Sequence, residues 1–336
     1  MKKRGGFART ITYIALVVLG TSFTLPFFWL LSTSLKPSSR IQQWPPDILP
    51  MMPVKTKIDG KSYEIQRDKT GAEVALIAHL KGGMASIKPL GDPKAAVRTV
   101  DGAELKPKLR LGCEWSNYSK GLVSIPFLQE LKNTLIVSIL SVFGTILSCS
   151  LVAYGLAKID WKGRNTLFVI MLSTMMLPAQ VTMIPVFQIF VKLHWVDSFR
   201  PLIVPSFLGT PFFIFLLRQF FLGLPKELSE AAKLDGCSEF GIYRRVIMPL
   251  SKPALATVGL FTFMNAWNDF MGPLIYLLDE SKYTLSLGLA MFTGQYGNEY
   301  GMLMAVSAVV TIPIIIMFFF TQRTFIQGMT MSGIKG

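Results

Sequence analysis

Six stretches of this chain are almost free of charge: Thr10 to Leu35, Asn133 to Ala157, Asn165 to Val191, Pro201 to Leu217, Pro253 to Leu278 and Tyr300 to Gln322. They run from 17 to 27 residues, and a helix needs about 20 to cross roughly 30 Å of hydrocarbon. Five are long enough to span; Pro201 to Leu217 is at the short limit and borrows flanking residues. Composition agrees, with 51% hydrophobic and 16% charged residues against about a quarter charged in soluble domains. The expectation is an all-α integral membrane fold with six transmembrane helices.

The first run follows Lys2, Lys3 and Arg4 in the manner of a secretory signal. Its apolar core is too long and no small-x-small cleavage site follows, so it reads as a retained anchor. Orientation follows from the basic residues. With the N-terminus placed in the cytoplasm, the short inside segments hold fifteen Lys and Arg: four before Thr10, three in Lys158 to Arg164, six in Arg218 to Lys252 and two after Gln322. The short outside segments, Lys192 to Arg200 and Asp279 to Glu299, hold three. This bias puts both termini inside. The net charge of +14 is then largely an orientation signal and contact with anionic lipid, with no nucleic acid required. Cys113, Cys149 and Cys237 fall in three different compartments, which leaves no internal disulfide and no metal-ligand spacing.

Four parts result: 1–36, a tail and the first helix; 37–132, an extracytoplasmic segment; 133–322, a five-helix core with a cytoplasmic loop at 218–252; and 323–336, a cytoplasmic C-terminal tail, in which Gln327 to Gly336 carry no helix signal. The outside segment Lys36 to Lys132 has 97 residues, too many for a turn. Asp59-Gly60 and Asp101-Gly102 each lie between β-branched and aromatic residues, a hairpin signal, so a small β-rich insert is expected from about 54 to 113. The alternative is a floppy basic loop around Gly82-Gly83. Pro45, Pro46, Pro50 and Pro53 stiffen its entrance. The insert carries 16 basic against 10 acidic residues between Lys36 and Lys132; an acidic partner or an anionic glycan fits, and simple solubility is the usual meaning of such an excess.

Catalytic chemistry is not legible. No Gly-x-x-x-x-Gly-Lys-Ser/Thr run, His-Glu-x-x-His or Gly-x-Ser-x-Gly occurs, and His79 and His194 read as surface or interfacial residues. Prolines 178, 185, 205, 211 and 313 lie inside spans, where a kink is tolerated if neighbours or a cavity take up the freed carbonyl. Asp269 is the one acidic residue inside a run, and a charge at the bilayer centre costs about 2.5–3.5 kcal/mol. By helical rise it lies about 24 Å from Pro253, toward the outer end. Asn265, Trp267, Asn268 and Asp269 offer polar groups and an aromatic platform for a sugar; a structural polar knot at a helix break before Gly272-Pro273 is the favoured reading.

The polar stretch Glu227 to Leu250 interrupts this pattern. After Pro225, Leu224, Leu228, Ala231 and Ala232 share one helical face while Lys226, Glu230 and Lys233 share another. Asp235-Gly236 stops the helix. A second piece groups Phe240, Tyr243 and Ile247, and Pro249 ends it. An amphipathic hairpin on the bilayer and a docking helix for a cytoplasmic partner both fit these residues.

Glu230-Ala231-Ala232, three residues, Gly236, nine residues, then Val246-Ile247-Met248-Pro249 resembles the Glu-Ala-Ala loop signature of binding-protein-dependent ABC importer permeases. "NTLIVSILSVFGTILSCSLVAYGLAK", "WNDFMGPLIYL", "YTLSLGLAMFTGQYGNEYGMLMA" and the tail "QGMTMSGIKG" are similar to the carbohydrate branch, in particular to the smaller maltose-transporter permease type. The likeness spans about Trp115 to Gly336 plus the first anchor. Cys237 stands where alanine is commoner, and the insert replaces a usually short connection.

The resemblance implies a multi-pass subunit of a bacterial-type inner membrane, with no catalytic role, that moves sugars or related polyhydroxylated solutes. It implies coupling through Glu230, Ala231, Ala232, Asp235, Gly236, Phe240 and Pro249, and a tail whose Gln327, Gly328 and Met329 reach the ATPase. ATP and Mg would be held by a dimer of partner ATP-binding subunits, with no cofactor or metal in this chain. A second permease, homologous or identical, and an extracytoplasmic solute-binding protein would complete the assembly. The rival reading is a membrane sensor or scaffold with a ligand-binding ectodomain.

Overall fold

A backbone inside hydrocarbon must pair its own N–H and C=O groups, which makes the helix its default. The structure, a computed structural model, describes residues 6–58, 60–90, 95–294 and 299–332. Among the described residues four helical stretches are long and apolar enough to cross a membrane: Arg9–Ser34, Phe127–Ala157, Arg200–Leu222 and Tyr300–Gln322. Two more are bent pairs, Arg164–Met176 with Ala179–Lys192 at 99° and Glu239–Leu250 with Lys252–Trp267 at 79°, so the span number is four to six. The chain packs as two units, residues 1–124 with 292–309, and residues 125–291 with 310–336.

In the first unit, α1 (Gly6–Ser34) leads through α2 (Ser38–Ile41) into eight strands. These are β1 (Met51–Pro53), β2 (Lys55–Ile58), β3 (Lys61–Arg67), β4 (Glu73–His79), β5 (Met84–Pro89), β6 (Arg98–Asp101), β7 (Lys106–Pro107) and β8 (Leu109–Leu111). β2 to β6 form an antiparallel meander, with β7 pairing the far half of β3, and β1 pairs β8 so that the segment enters and leaves at one place. Val74, Ala75, Ala85 and Ile87 are buried between strands. Ile58 pairs with Lys61, and Gly60 takes φ +77° to turn the chain, as glycine does without steric cost; Asp59 lies outside the described residues.

The second expected hairpin, at Asp101-Gly102, does not form. Asp101 instead accepts a hydrogen bond from the Ala103 N–H and caps a short 3₁₀ turn, sending the chain to β3 rather than back along β6. The Asp side chain competes for the backbone donor that a hairpin turn needs.

After the strands, α3 (Ser116–Ser124) closes the unit. Asn117 donates to the carbonyls of Ser34 and Lys36 at 2.8 and 2.9 Å, meeting acceptors that a helix end leaves open. Gly121 is required there: a Cβ would lie 2.8 Å from Val306 Cγ2.

The second unit is built on α4 (Phe127–Ala157). Around it lie α5 (Arg164–Ser173), α6 (Ala179–Lys192), α7 (Arg200–Ile203), α8 (Pro211–Leu222), α9 (Lys226–Leu234), α10 (Glu239–Ile242), α11 (Met248–Leu250), α12 (Lys252–Trp267), α13 (Met271–Tyr276) and α14 (Leu285–Met291), and α15 (Tyr300–Ser332) ends the described chain. Cys149, Ala153 and Tyr154 of α4 pack with Leu217 and Phe221 of α8 and Val258 of α12. A second cluster joins Phe263 and Trp267 to Leu285, flanked by Leu131, Val310 and Ile314.

Three expectations are corrected. The run Asn165 to Val191 breaks at Leu177, whose ψ of 120° is extended, because a residue before proline is driven out of the helical region. The run Pro253 to Leu278 is not one helix: α12 ends at Trp267, and after the break at Asn268 the Gly272 N–H donates to Asp269 Oδ1 at the start of α13. The tail, expected to lack helix from Gln327, continues α15 through Ser332; 333–336 lie outside the described residues.

Asp197 ties two loops of this unit. Its φ of +59° is left-handed, a region that Asp tolerates better than most residues. Its N–H donates to Tyr276 O, Oδ1 accepts from the Leu278 and Asp279 N–H groups, and Lys282 Nζ donates to Oδ2 at 2.6 Å. The Lys282 hydrogen bond, then the two N–H groups, hold its carboxyl at about 2. A folded-state value below the ordinary one of about 4 means stability present at neutral pH and lost as pH falls through about 2. Asp197→Asn should therefore lower the melting temperature at pH 7, with the gap to wild type narrowing from about pH 4 downward, as read by thermal unfolding of the purified chain.

Candidate functional site

Nine residues, Lys226–Leu234, make α9, and its end is set by backbone chemistry. The Gly236 N–H donates to Lys233 O and the Cys237 N–H to Ala232 O, both at 3.0 Å, with Gly236 at φ +78°. This is the paired-bond stop that favours glycine. Ser238 then caps α10 by accepting from the Gly241 N–H at 3.2 Å. A π turn at Tyr243–Ile247 follows, and the chain bends by 79° into α12 at Ser251.

The loop is mounted rigidly. Ile242 and Ile247 are fully buried and Tyr243 nearly so, in the cluster with Tyr154, Ala157, Leu217 and Phe221. Tyr243 Oη lies 2.8 Å from Ser150 Oγ, and Tyr154 Oη donates to Glu239 Oε2 at 2.6 Å. The Tyr154 and Tyr243 rings meet edge-on at 5.5 Å. Lys158 Nζ donates to Leu224 O at 2.8 Å, and Lys233 pairs with Glu239 at 2.7 Å across the glycine turn. The last is solvent-exposed and contributes little; the buried isoleucines and tyrosines carry the attachment.

The sequence-predicted residues separate here. Ala232 is buried against the core, while Glu230, Ala231, Asp235, Gly236, Phe240 and Pro249 are exposed. The expected apolar face is thus rotated: Ala232 turns inward, and Leu228 and Ala231 lie outside. Phe240 is exposed where Tyr243 and Ile247 are buried, although its ring lies 5.8 Å from that of Tyr243. Leu234, 90% exposed, was missed. Its signal was present, since a leucine just before Asp235-Gly236 falls off the helix's buried face. Leu228, Leu234 and Phe240 are each exposed on this loop, among exposed charged residues. Gln327, Gly328 and Met329 lie on α15.

A separate cavity of about 640 Å³ lies within the same unit, between α4, the 204–210 segment and α12. Its polar lining is Ser141, Thr145, Ser206, Thr210, Thr262, Asn265, Asn268 and Asp269. Asn265 is exposed and its amide has no partner among the described residues; Asn268 Nδ2 donates to Met264 O at 2.8 Å. Asp269 both lines the cavity and caps α13, so the two readings of that residue coexist. Trp267 departs from expectation: it is 2% exposed and stacks on Phe263 at 5.2 Å, away from the lining. Consecutive residues of a helix point about 100° apart, so Asn268 is exposed while the large apolar ring of Trp267 takes the packed face. Hydroxyl and amide groups on such a surface can exchange hydrogen bonds with a polyhydroxylated molecule.

Residues 135–330 match the model of the family described as binding-protein-dependent transport system inner membrane component. The chain is 42% identical over 204 residues to the arabinooligosaccharides transport system permease protein AraQ of Bacillus subtilis (strain 168), covering 61% of this chain and 72% of that protein. It is 35% identical over 216 residues to the trehalose/maltose transport system permease protein MalG of Thermococcus litoralis (strain ATCC 51850 / DSM 5473 / JCM 8560 / NS-C), covering 63% and 77%. In fold it is similar to a chain of a bacterial ABC transporter involved in the import of the acidic polysaccharide alginate, with a TM-score of 0.66 at 22% identity over 96% of this chain and 99% of that one. The chain belongs to the family of binding-protein-dependent transport system inner membrane components: it is a permease subunit of an ABC importer, a transport component rather than an enzyme.

Proposed function

We propose that this permease carries sugars or related polyhydroxylated solutes, and that the loop 226–249 transmits a partner's ATP hydrolysis to the spans as alternating access. Family membership takes the place of the sensor or scaffold alternative. The solute class is supported by the relatives' oligosaccharide and disaccharide systems and by the hydroxyl- and amide-lined cavity. The coupling role is supported by one observation above the others: exposed apolar side chains on a loop whose base is fully buried against α4 and α8. A loop that docks while its base cannot shear must move the helices with it.

In this reading the bent pair over 164–192 is one span and α12 belongs to another, giving six, with both termini and the loop in the cytoplasm, as the basic residues favour. The strands at 51–111 then face outward, beside the docking place of a solute-binding protein. ATP and Mg belong to a dimer of ATP-binding subunits, into whose clefts α9 fits; a second permease, homologous or identical, and membrane lipid complete the surroundings. No nucleic acid takes part. Glu230 and Asp235 offer carboxylates to basic groups or N–H donors of the ATPase, and Gly236 allows close approach. The α15 end, including Gln327 to Met329, lies on the same side and reaches the ATPase.

Two outcomes test this. Leu234→Asp places a charge on the loop, and loss of a central apolar anchor costs about 2 kcal/mol, or about thirtyfold in ATPase-subunit affinity; a pull-down titration with wild-type-like thermal stability of the variant reads it, and unchanged affinity contradicts the docking role. Asn265→Ala should lower sugar uptake in proteoliposomes by about two- to tenfold, the worth of one hydrogen bond, with ATPase assembly unchanged. Uptake equal to wild type would remove Asn265 from the path.

A further inference from the structure

A second polar cavity, of about 320 Å³, lies in the strand-bearing unit between α2, the middle of β3 and the 102–107 segment. Gln66, on β3, lines it and is 8% exposed, yet its side-chain amide has no hydrogen-bond partner among the described residues. Two residues away on the same strand face, Glu64 also lines the cavity and makes no ion pair among the described residues. His79 at the end of β4 and Ser39 and Gln43 beside α2 complete the polar lining. Arg40 lines it too, but its guanidinium is committed: Nε and Nη2 donate to Asp47 Oδ2 at 2.9 and 2.7 Å, and Nη1 donates to Gln43.

We propose that this cavity is a binding site for one neutral, hydroxyl-rich unit such as a single sugar ring. The donor and acceptor inventory selects that class. An amide and an imidazole each both donate and accept, and a carboxylate accepts only. A hydroxyl does both, so adjacent hydroxyls can satisfy all three groups at once. An anion would meet the unpaired Glu64 while Arg40 is already neutralised by Asp47. A cation would leave the Gln66 and His79 donors without acceptors. The volume is at the low end of the roughly 300–1,000 Å³ of small-molecule sites, which suits one ring rather than a chain. This site is built from other residues than the α4–α12 cavity, so it stands whether or not that cavity carries the solute.

The test is saturation-transfer NMR on the full chain in nanodiscs, with D-glucose, D-glucuronate and D-glucosamine as probes. Wild type should show transfer to glucose and weaker transfer to the anion and the cation. Gln66→Leu, close in volume, should cut the glucose signal at least fivefold, and the partly exposed Glu64→Lys should cut it as well while its melting profile matches wild type. Lys57→Ala, at an exposed position of β2 outside the cavity lining, should retain it. No glucose transfer in wild type, equal transfer in Glu64→Lys with a native melting profile, transfer confined to the charged probes, or an equal loss of the signal in Lys57→Ala would each overturn the proposal.

Discussion

Burial of Ile242, Tyr243 and Ile247 against the end of α4 is the constraint on which the arrangement of this permease depends. A polar loop between two membrane helices has no intrinsic reason to be fixed. Here two isoleucines without exposed surface and two tyrosines hydrogen-bonded to Ser150 and Glu239 hold it to one geometry. Full burial of each isoleucine contributes on the order of 1.5–3 kcal/mol, more than the exposed Lys233–Glu239 pair can. The π turn at Tyr243–Ile247 belongs to the same device. It widens the turn between Tyr243 and Ile247, both of which face inward.

That attachment relates the two ends of the second unit. α4 and α12, which carry the loop's buried base and its C-terminal exit, also wall the cavity lined by Ser141, Thr145, Thr262 and Asn265. A movement imposed on α9 would reach those walls through packed side chains rather than through a flexible link, which is what the proposed coupling needs. At the far end, the Asp197–Lys282 tie joins the loop before α7 to the segment after α13. Both ends of the helical framework are therefore clamped, and the breaks lie between them, at Leu177, Ser251 and Asn268.

Much of this was legible in the residues. The apolar runs located the helices because hydrocarbon leaves the backbone few other choices, and the Glu-Ala-Ala to Pro249 spacing located the loop. Gly236 was legible as a helix stop because its conformation is a local property. What was not legible depends on partners far away in the sequence. Which face of α9 turns inward is decided by α4, so Ala232 and Leu228 could not be sorted from period alone. Trp267 looked like a platform for a sugar, but the neighbouring Phe263 and Leu285 claim it. The bend before α12 required knowing that Pro253, in the first turn, starts a helix rather than kinking one. Asp101-Gly102 resembles Asp59-Gly60 on paper, and they diverge because Asp101 spends its carboxylate on a backbone donor.

The central claim is that the loop and the end of α4 move as one body when the partner subunits act. Electron-spin distance measurements on the reconstituted transporter test it, with label pairs at Lys226 and Lys162 and at Lys226 and Lys282. ATP should leave the first distribution unchanged and shift the second. A shift confined to the first pair, with the second unchanged, would mean that the loop flexes on its own base and does not carry the helices with it.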